Sequence, residues 1–270
     1  SAKRKEFGEE DRRAEEIEGE IMKGKDARVK TYVKGLDERL SDGLPKESII
    51  LVCGTAGSMK SSFVYSVLYN NAKNENINGL YITMEQSSES LLSQAGSLGM
   101  GKLENIYVFD LAGMRAQYGD LVSRKLVAEA REIAPGIPET RMDWFDTILE
   151  FLKQYKKKHN FELLAIDSLN AIYALVPTQE PRSRLFEFFS ELRKLKSTTF
   201  LTSEMTRIDS RYSTFGVEEF LVDGIIHLDI VKEGWNVKRY LNVVKLRRTK
   251  HDMDFYPLLV GKEGFEIVTK

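Results

Sequence analysis

The sequence predicts an α/β protein with a mostly parallel central sheet that is flanked by helices and ends in antiparallel hairpins. Short apolar segments alternate with helical patterns from Ile49 to Thr202, as they do in parallel sheets covered by helices on both faces. A loop of small residues follows the first apolar segment. After Ser203, four strand-like segments follow one another with turns at Glu233-Gly234 and Glu263-Gly264. Hairpins should therefore extend the sheet at this end.

The first apolar segment, Ile49 to Val52, leads into a loop that is typical of phosphate-binding sites. The loop and the helix start consist of Gly54, Thr55, Ala56, Gly57, Ser58, Met59, Lys60, Ser61 and Ser62. Backbone N–H groups and the positive end of the next helix would surround a polyphosphate. Lys60 would reach the β- and γ-phosphates, and the Ser61 hydroxyl would hold Mg²⁺. A chance strand, turn and helix with a surface lysine is the alternative, and both flanking contexts argue against it.

Met59 is a departure from the phosphate-loop motif G-x-x-x-x-G-K-[ST], which has glycine at this position. Backbone amides do the binding, so a side chain is tolerated if the φ angle of Met59 stays negative and its side chain points away from the phosphates. We therefore expect the loop to keep its function with a methionine before Lys60.

The second predicted strand, Gly79 to Met84, ends in Glu85 and Gln86. Ligands of open parallel sheets lie outside the carboxyl ends of the strands, so these side chains should share an edge with the phosphate loop. Glu85 is a candidate general base, or a group that positions the attacking water. The alternative for Glu85 is a capping role at the next helix, because Ser87, Ser88 and Glu89 follow it.

A later apolar segment, Phe161 to Ile166, ends in Asp167. An acidic residue at a strand tip is suited to the hydration shell of Mg²⁺. Alone, an apolar segment that ends in Asp is weak evidence for a nucleotide site. It becomes strong evidence when a phosphate loop lies about 100 residues earlier. The remaining predicted elements before residue 204 are helices at Ser62 to Ala72, Ser88 to Leu98, Trp144 to His159 and Ser183 to Lys194, with strands at Asn105 to Asp110 and Ser197 to Thr202.

Two cations mark the late strand predicted from Val237 to Leu246. Lys245 and Arg247 are two residues apart, so their side chains should project from one face, with Thr249 continuing the row and His251 beyond it. The alternative is that the charges protect an edge strand from aggregation.

Composition restricts the class of protein. The 270 residues carry a net charge of -1 although 30% are charged, which argues against binding polyanions through bulk charge. The single cysteine, Cys53, excludes a disulfide within the chain and indicates the cytoplasm. We expect no membrane insertion, because no apolar run approaches the roughly 18 residues of a membrane span and no signal peptide is visible. Residues 1–27 are predicted to form a charged helical extension, either solvated or in contact with a protein partner; residues 111–141 suggest no function.

The phosphate loop, Glu85-Gln86, Asp167-Ser168 and the lysine-arginine strand together resemble the KaiC-like branch of the RecA superfamily. The likeness is to a single KaiC-type ATPase domain, as in standalone archaeal-type proteins. It covers about residues 28–269, and we predict this domain at residues 28–270. Further landmarks are Gly35-Leu36-Asp37-Glu38, Gly43-Leu44-Pro45 and Gly216 to Phe220. The resemblance implies a RecA-like P-loop NTPase fold, ATP and Mg²⁺ as cofactors, and a homo-oligomer, a hexameric ring, with ATP between neighbouring subunits.

The resemblance also implies a division of roles within the site. Lys60 and Ser61 would act in their own subunit, whereas Lys245, Arg247 and His251 would approach the nucleotide of the adjacent subunit. Gln86 stands where the family has the second of two acidic residues, which predicts slow hydrolysis because an amide takes no proton. The positions of the clock proteins' phosphorylated Ser-Thr pair are occupied by Glu219 and Phe220, so autokinase activity is not expected.

The sequence therefore predicts a Mg²⁺-dependent ATP-binding protein with slow ATPase activity that works as a switch. One alternative is a RecA/RadA-like DNA-binding module, and another is an ATP sensor that does not hydrolyse its ligand. Loops after Asp167 and Ser203 carry side chains for DNA contact at Arg182, Arg184, Arg207, Arg211 and Tyr212. The balanced charge and the shortage of aromatic residues beside them argue against DNA.

Overall fold

We analysed the protein as a computed structural model, which describes residues 27–113, 144–175, 181–205 and 211–269. The described strands are β1 (Arg28–Val29), β2 (Leu44–Pro45), β3 (Ile49–Gly54), β4 (Gly79–Thr83), β5 (Ile106–Asp110), β6 (Leu163–Asp167), β7 (Thr198–Glu204), β8 (Gly224–Glu233), β9 (Asn236–Leu246), β10 (Tyr256–Gly261) and β11 (Gly264–Ile267). The described helices are α1 (Lys60–Glu75), α2 (Ser88–Ser97), α3 (Trp144–His159), α4 (Leu169–Leu175), α5 (Pro181–Lys194) and α6 (Glu218–Leu221).

The main sheet has nine strands in the order β11-β10-β9-β8-β3-β7-β6-β4-β5. Strands β3 to β8 pair in parallel wherever they are neighbours, and β8, β9, β10 and β11 pair in antiparallel fashion. This confirms the predicted fold class. It also corrects one detail, because β8 forms a hairpin with β9 and is at the same time a parallel partner of β3.

Two apolar layers cover the sheet. In β3, Ile50 and Val52 face the layer that contains α1 and α2, while Ile49, Leu51 and Cys53 face the layer that contains α3, α4 and α5. Because successive strand residues point to opposite faces, a strand that is buried on both sides must be apolar throughout. All six residues of β3 are buried, as its uninterrupted apolar pattern predicts.

The register aligns the carboxyl ends of four parallel strands at one edge of the sheet. Gly54 at the end of β3 pairs with Glu204 at the end of β7. Thr83 at the end of β4 pairs with Asp167 at the end of β6. The turns that leave these strands therefore meet at this edge, which we call the carboxyl edge.

Several predicted elements lie partly or wholly outside the described residues. These are the charged extension before residue 27 and most of residues 111–141. The predicted short helix between residues 28 and 46 is a single 3-10 turn, Asp37–Leu40, beside the antiparallel pair of β1 and β2.

Within the described residues, no helix combines the length and apolar character that a membrane span requires.

Candidate functional site

The predicted phosphate loop connects β3 to α1 at the carboxyl edge. Gly54 lies so close to β8 that an added Cβ atom would stand 2.1 Å from the Leu228 carbonyl oxygen. Gly57 has a φ angle of 81°, which glycine adopts at little cost. The first turn of α1 contains no acidic residue, and no side chain caps the helix. The loop thus leaves the positive end of α1 open to an anion.

Met59 adopts a left-handed backbone conformation with a φ angle of 73°. The expectation of a negative φ angle at Met59 is therefore wrong. Methionine has a Cβ atom, which makes this conformation costlier than for glycine, by roughly 1 kcal/mol or more. The Met59 side chain packs against the apolar layer that contains α1. The loop therefore keeps the backbone shape that the expected glycine would favour, and burial of the side chain offsets part of the strain.

Three hydroxyl groups of this segment are buried and have no hydrogen-bond partner among the described residues. They belong to Thr55, Ser58 and Ser62. Buried polar groups are usually paired, because an unpaired one costs about 1–3 kcal/mol. A polyphosphate would bring many acceptor oxygens to such a loop, so this segment fits the predicted nucleotide.

Lys60 turns back over the loop. Its Nζ donates hydrogen bonds to the carbonyl oxygens of Gly54 at 3.0 Å and Thr55 at 3.1 Å. Burial lowers the pKa of Lys60 below its usual 10.5, and the carboxylates of Glu204, Asp167 and Glu85 oppose this shift. The ammonium group is thus partly desolvated and surrounded by carboxylates, a setting in which phosphate oxygens would be favourable partners.

The lowered pKa of Lys60 predicts that ATP affinity depends on pH. Phosphates favour the charged ammonium, so the pKa of Lys60 is higher in the complex than in the free protein. Affinity should be constant below the pKa of the free protein and should fall as the pH rises above it, by at most about tenfold per pH unit. The decline should begin below 10.5, the ordinary lysine value.

Titration with a fluorescent ATP analogue between about pH 7 and about pH 10 measures this dependence. Lys60→Arg is the matched control, because a guanidinium stays charged throughout this range and should give a flat profile. An equally flat profile in the parent protein would contradict the prediction.

Two side chains that could hold a divalent cation through oxygen atoms lie beside the loop. Ser61 is in the first turn of α1, and Asp167 ends β6. Asp167 is only 4% exposed; its Oδ1 accepts from the Thr202 hydroxyl and its Oδ2 from the Tyr81 hydroxyl, both at 2.6 Å. The described residues contain no cluster of three His, Cys, Asp or Glu side chains suited to a metal. A hydroxyl and one carboxylate fit Mg²⁺ that takes its other ligands from water and phosphates.

Glu85 also lies at this edge, and its Oε1 accepts a hydrogen bond from the Ser168 hydroxyl. The cap of α2 is instead Ser87, whose side chain accepts from the Ser90 amide, so the capping alternative does not describe Glu85. The Gln86 carbonyl accepts from the Thr83 hydroxyl at 2.6 Å. Ser168, which the sequence marked only as the neighbour of Asp167, thus holds the candidate base.

These groups line a cleft of about 370 Å³. Sequence reasoning missed two of its polar side chains, Gln94 on α2 and Glu204 at the end of β7. Glu204 could have been found, because it follows the strand predicted to end at Thr202 and therefore belongs to the carboxyl edge. Gln94 has no such signal. The full lining consists of Ala56, Gly57, Met59, Lys60, Ser61, Glu85, Gln86, Gln94, Asp167, Ser168 and Glu204.

Lys245 and Arg247 lie far from this cleft. Lys245 pairs with Ile225, near the start of β8, where Gly224 pairs with Ile50 of β3. Ile225 also pairs with Leu51 of β3, and the three residue steps from Leu51 to Gly54 separate Lys245 from the phosphate loop by about 10 Å along the strands. The two cations are therefore near the amino edge of the sheet, opposite to the carboxyl edge.

Both cations contact the short helix α6 and its end. The Lys245 Nζ donates to the carbonyl oxygens of Glu219 and Val222, each at 2.8 Å. Arg247 forms an ion pair with Asp223 at 3.5 Å, and its side chain remains 51% exposed. Burial lowers the pKa of Lys245, and the nearby Arg247 charge adds to this. His251 lies further along the chain, with its Nδ1 2.7 Å from the Asp252 carbonyl oxygen.

The side chains proposed for DNA contact differ in their exposure and in their contacts within the protein. Arg184 forms ion pairs with Asp146 and Glu187, and the Tyr212 ring packs edge-on against His227 at 5.5 Å. Arg182 and Arg211 are exposed, and Arg207 lies outside the described residues. Arg184 and Tyr212 are thus engaged within the protein, which weakens the case for a stacking groove.

Comparison with known proteins identifies the family of the chain. The family model described as the KaiC ATPase matches residues 29–270. The chain belongs to this family. As a KaiC ATPase family member with the fold described above, the protein is an ATP-binding NTPase of the RecA superfamily.

The KaiC relatives include circadian clock oscillator proteins. The protein is 28% identical over 243 residues to KaiC of Picosynechococcus sp. (strain ATCC 27264 / PCC 7002 / PR-6), covering 89% of this chain and 44% of that one. It is 27% identical over 244 residues to KaiC of Synechococcus elongatus (strain ATCC 33912 / PCC 7942 / FACHB-805), with the same coverage. The chain thus spans less than half the length of these relatives.

A solved KaiC-like protein from the hyperthermophilic archaeon Pyrococcus horikoshii OT3 has a similar fold, with a TM-score of 0.72 and 25% sequence identity. The match covers 90% of this chain and 99% of that structure. The KaiC-like resemblance and the RecA-like fold predicted from the motifs are therefore confirmed.

Proposed function

We propose that this protein binds ATP with Mg²⁺ and hydrolyses it slowly at the interfaces between its subunits, as a regulatory or signalling switch. The observation that carries the proposal is the convergence of Lys60, Ser61, Asp167 and Glu85 on one cleft at the carboxyl edge. An ATPase needs a cation for the phosphates, oxygen ligands for a metal and a base for water. The cleft contains all three.

The loop residues Gly54 to Ser62 would bind the phosphates through their amides and hydroxyls, and the Lys60 ammonium would leave the Gly54 and Thr55 carbonyls for phosphate oxygens. Ser61 and Asp167 would hold Mg²⁺, which when bound neutralises charge on the β- and γ-phosphates. Asp167 is fixed by two hydroxyl donors, so it is oriented before any ligand arrives.

Glu85 would accept the proton of the attacking water. It is exposed to the cleft, so a water molecule can reach it, and its contact with Ser168 restricts its position. Gln86 would orient water without taking a proton, which limits the rate. Slow turnover suits a switch, whose state must outlast the binding event.

Lys245, Arg247 and His251 would complete the site of the neighbouring subunit. The first two do not reach their own phosphate loop in this structure, because they lie toward the amino edge of the sheet and the loop lies at the carboxyl edge. Arg247 is half exposed and already lies beside Lys245 at the opposite edge, as a residue that acts across an interface should. We therefore propose a homo-oligomeric ring, with a hexamer as the expected size.

The regulatory role rests on the relatives, whose names describe circadian clock oscillators. We assign residues 28–270 to the ATPase domain and residues 1–27 to an extension that contacts a protein partner. The only cysteine, Cys53, is buried and unpaired, which suits a reducing compartment such as the cytoplasm.

Glu85→Gln tests the proposed function. The amide keeps the size of the side chain and its hydrogen bond from Ser168 but takes no proton. ATP affinity should stay within about threefold of the parent value, while phosphate release should slow by about 100-fold. Calorimetric titration with Mg-ATP and a phosphate-release assay measure the two quantities.

Glu89→Gln is the matched control, because Glu89 is an exposed residue in the first turn of α2 and should leave both quantities unchanged. Equal turnover of Glu85→Gln and the parent would exclude Glu85 as the base. A parent protein that binds ATP without releasing phosphate would be a sensor, and one that does not bind ATP would refute the proposal.

A further inference from the structure

The Tyr81 hydroxyl belongs to the middle residue of β4, whose two neighbours in the strand, Leu80 and Ile82, are apolar. Tyr81 lies in β4, is fully buried, and packs its ring edge-on against Tyr65 with the centroids 5.9 Å apart. A phenylalanine ring would fill the same space without a polar atom. A hydroxyl that is buried so deeply costs free energy unless it has a partner, so its partners indicate what it does.

Its hydrogen-bond partner is one of the two side chains assigned to the metal. The Tyr81 hydroxyl donates to Asp167 Oδ2 at 2.6 Å. Burial raises the pKa of Tyr81 well above 10.0, the Asp167 carboxylate raises it further, and the Ser61 side chain opposes the rise. The hydroxyl therefore keeps its proton and remains a donor at physiological pH.

The contact links two neighbouring strands next to the helix of Ser61. β4, which carries Tyr81, pairs in parallel with β6, which ends in Asp167, and Tyr81 packs in the apolar layer that contains α1. Tyr81 and Thr202 each bond to a different oxygen of the Asp167 carboxylate. Each oxygen has two lone pairs, so one on each remains for the cleft.

We propose that Tyr81 is a positioning residue for the metal, whose hydroxyl sets the orientation of the Asp167 carboxylate. The inference rests on the proposed Mg-ATP site and adds to it a residue that touches neither metal nor nucleotide. Partners of this kind typically affect metal affinity by 10–100-fold when they are removed.

The test compares Tyr81→Phe with Tyr65→Phe in the full chain. Tyr65 is the matched control, because it is a buried tyrosine of the same apolar layer whose hydroxyl points to the Gly101 carbonyl oxygen at 3.4 Å. Electron paramagnetic resonance gives the affinity of Mn²⁺ for the protein saturated with ADP, and titration in EDTA gives ADP affinity without metal.

We expect Tyr81→Phe to weaken Mn²⁺ binding by about tenfold or more while metal-free ADP affinity stays within about twofold. Tyr65→Phe should change neither quantity. 4-Aminophenylalanine at position 81 restores a hydrogen-bond donor and should recover most of the Mn²⁺ affinity of the parent. This variant can be compared directly with the parent if Tyr81→Phe does not fold.

Three outcomes would overturn the inference: unchanged Mn²⁺ affinity in Tyr81→Phe, a loss of metal-free ADP affinity as large as the loss of Mn²⁺ affinity, or no recovery with 4-aminophenylalanine. The second outcome would show that the hydroxyl only stabilises the fold. A parent protein that does not bind ADP at all would instead refute the proposed function, so the two failures are distinguishable.

Discussion

Replacing Lys60 by alanine should remove ATP binding, with a loss of affinity of about 100-fold or more. Among the described residues that line the cleft, Lys60 is the only one with a positive charge. Hydrogen bonds to charged groups contribute about 1.5–3 kcal/mol each, and the ammonium group would make at least two of them to the phosphates. Calorimetric titration with Mg-ATP measures the effect, and phosphate release should fall to background.

Lys73→Ala is the control for Lys60→Ala. Lys73 lies on the same helix, near its C-terminal end, where its ammonium stands 5.7 Å from the Tyr69 ring centroid. Its removal should leave ATP affinity unchanged. Thermal unfolding should show that both variants are folded. If folded Lys60→Ala binds ATP as tightly as the parent, the phosphate-loop assignment is wrong.

Arg247→Ala should lower turnover by about 1000-fold while ATP affinity stays within about tenfold of the parent value. A guanidinium from a neighbouring subunit stabilises charge on the transferring phosphoryl group, whereas the phosphate loop of the first subunit still holds the nucleotide. Arg248→Ala is the matched control, since Arg248 is the adjacent arginine and bonds within its own chain to Lys46 and Ser48.

Mixing variants separates an interfacial role of Arg247 from a structural one. A subunit with Arg247→Ala cannot supply the guanidinium to the site of its neighbour. A subunit with Glu85→Gln lacks the base in its own cleft. Mixed rings contain interfaces that pair an intact Glu85 with an intact Arg247, so some activity should return. If co-assembly is confirmed by mass in solution and activity never returns, Arg247 belongs only to the ion pair with Asp223.

The elements that sequence reasoning predicted well are those with strong periodic patterns. The helix expected from Trp144 to His159 has these bounds in the structure, because its apolar residues recur at helical spacing against one face. All residues of strands β3, β4 and β6 are buried, and most of them are apolar. Their carboxyl ends carry the groups of the cleft, so the order of motifs along the chain was enough to predict which residues meet.

The parallel pairing of β8 could not be predicted in the same way. Only the four-residue helix α6 lies between the polar loop and β8, and one helical turn is too short to show periodicity. The chain nevertheless returns through this segment to the amino edge, where the Asp223 amide bonds to the Ile49 carbonyl at 2.8 Å. Which strands pair depends on the path of the connecting segments, and the pattern of apolar residues within a strand does not encode this path.

Two other features of the site could not be predicted from the sequence, for different reasons. The left-handed conformation of Met59 depends on backbone geometry, and a methionine in the sequence argues against it. Tyr81 lies in an apolar run and is counted as core, because the pattern does not show where its hydroxyl points. In both cases a residue serves a second purpose within the core, and only three-dimensional placement shows it.

The separation of the two edges has a consequence for assembly. Under the proposed division, each protomer offers a nucleotide-holding face on one side and a donor face on the other, so subunits associate head to tail. An open chain always contains one complete catalytic centre fewer than it has protomers, and an isolated protomer contains none. Closure of the ring supplies the last centre. The rate per protomer should therefore rise with protein concentration and become constant once rings have closed.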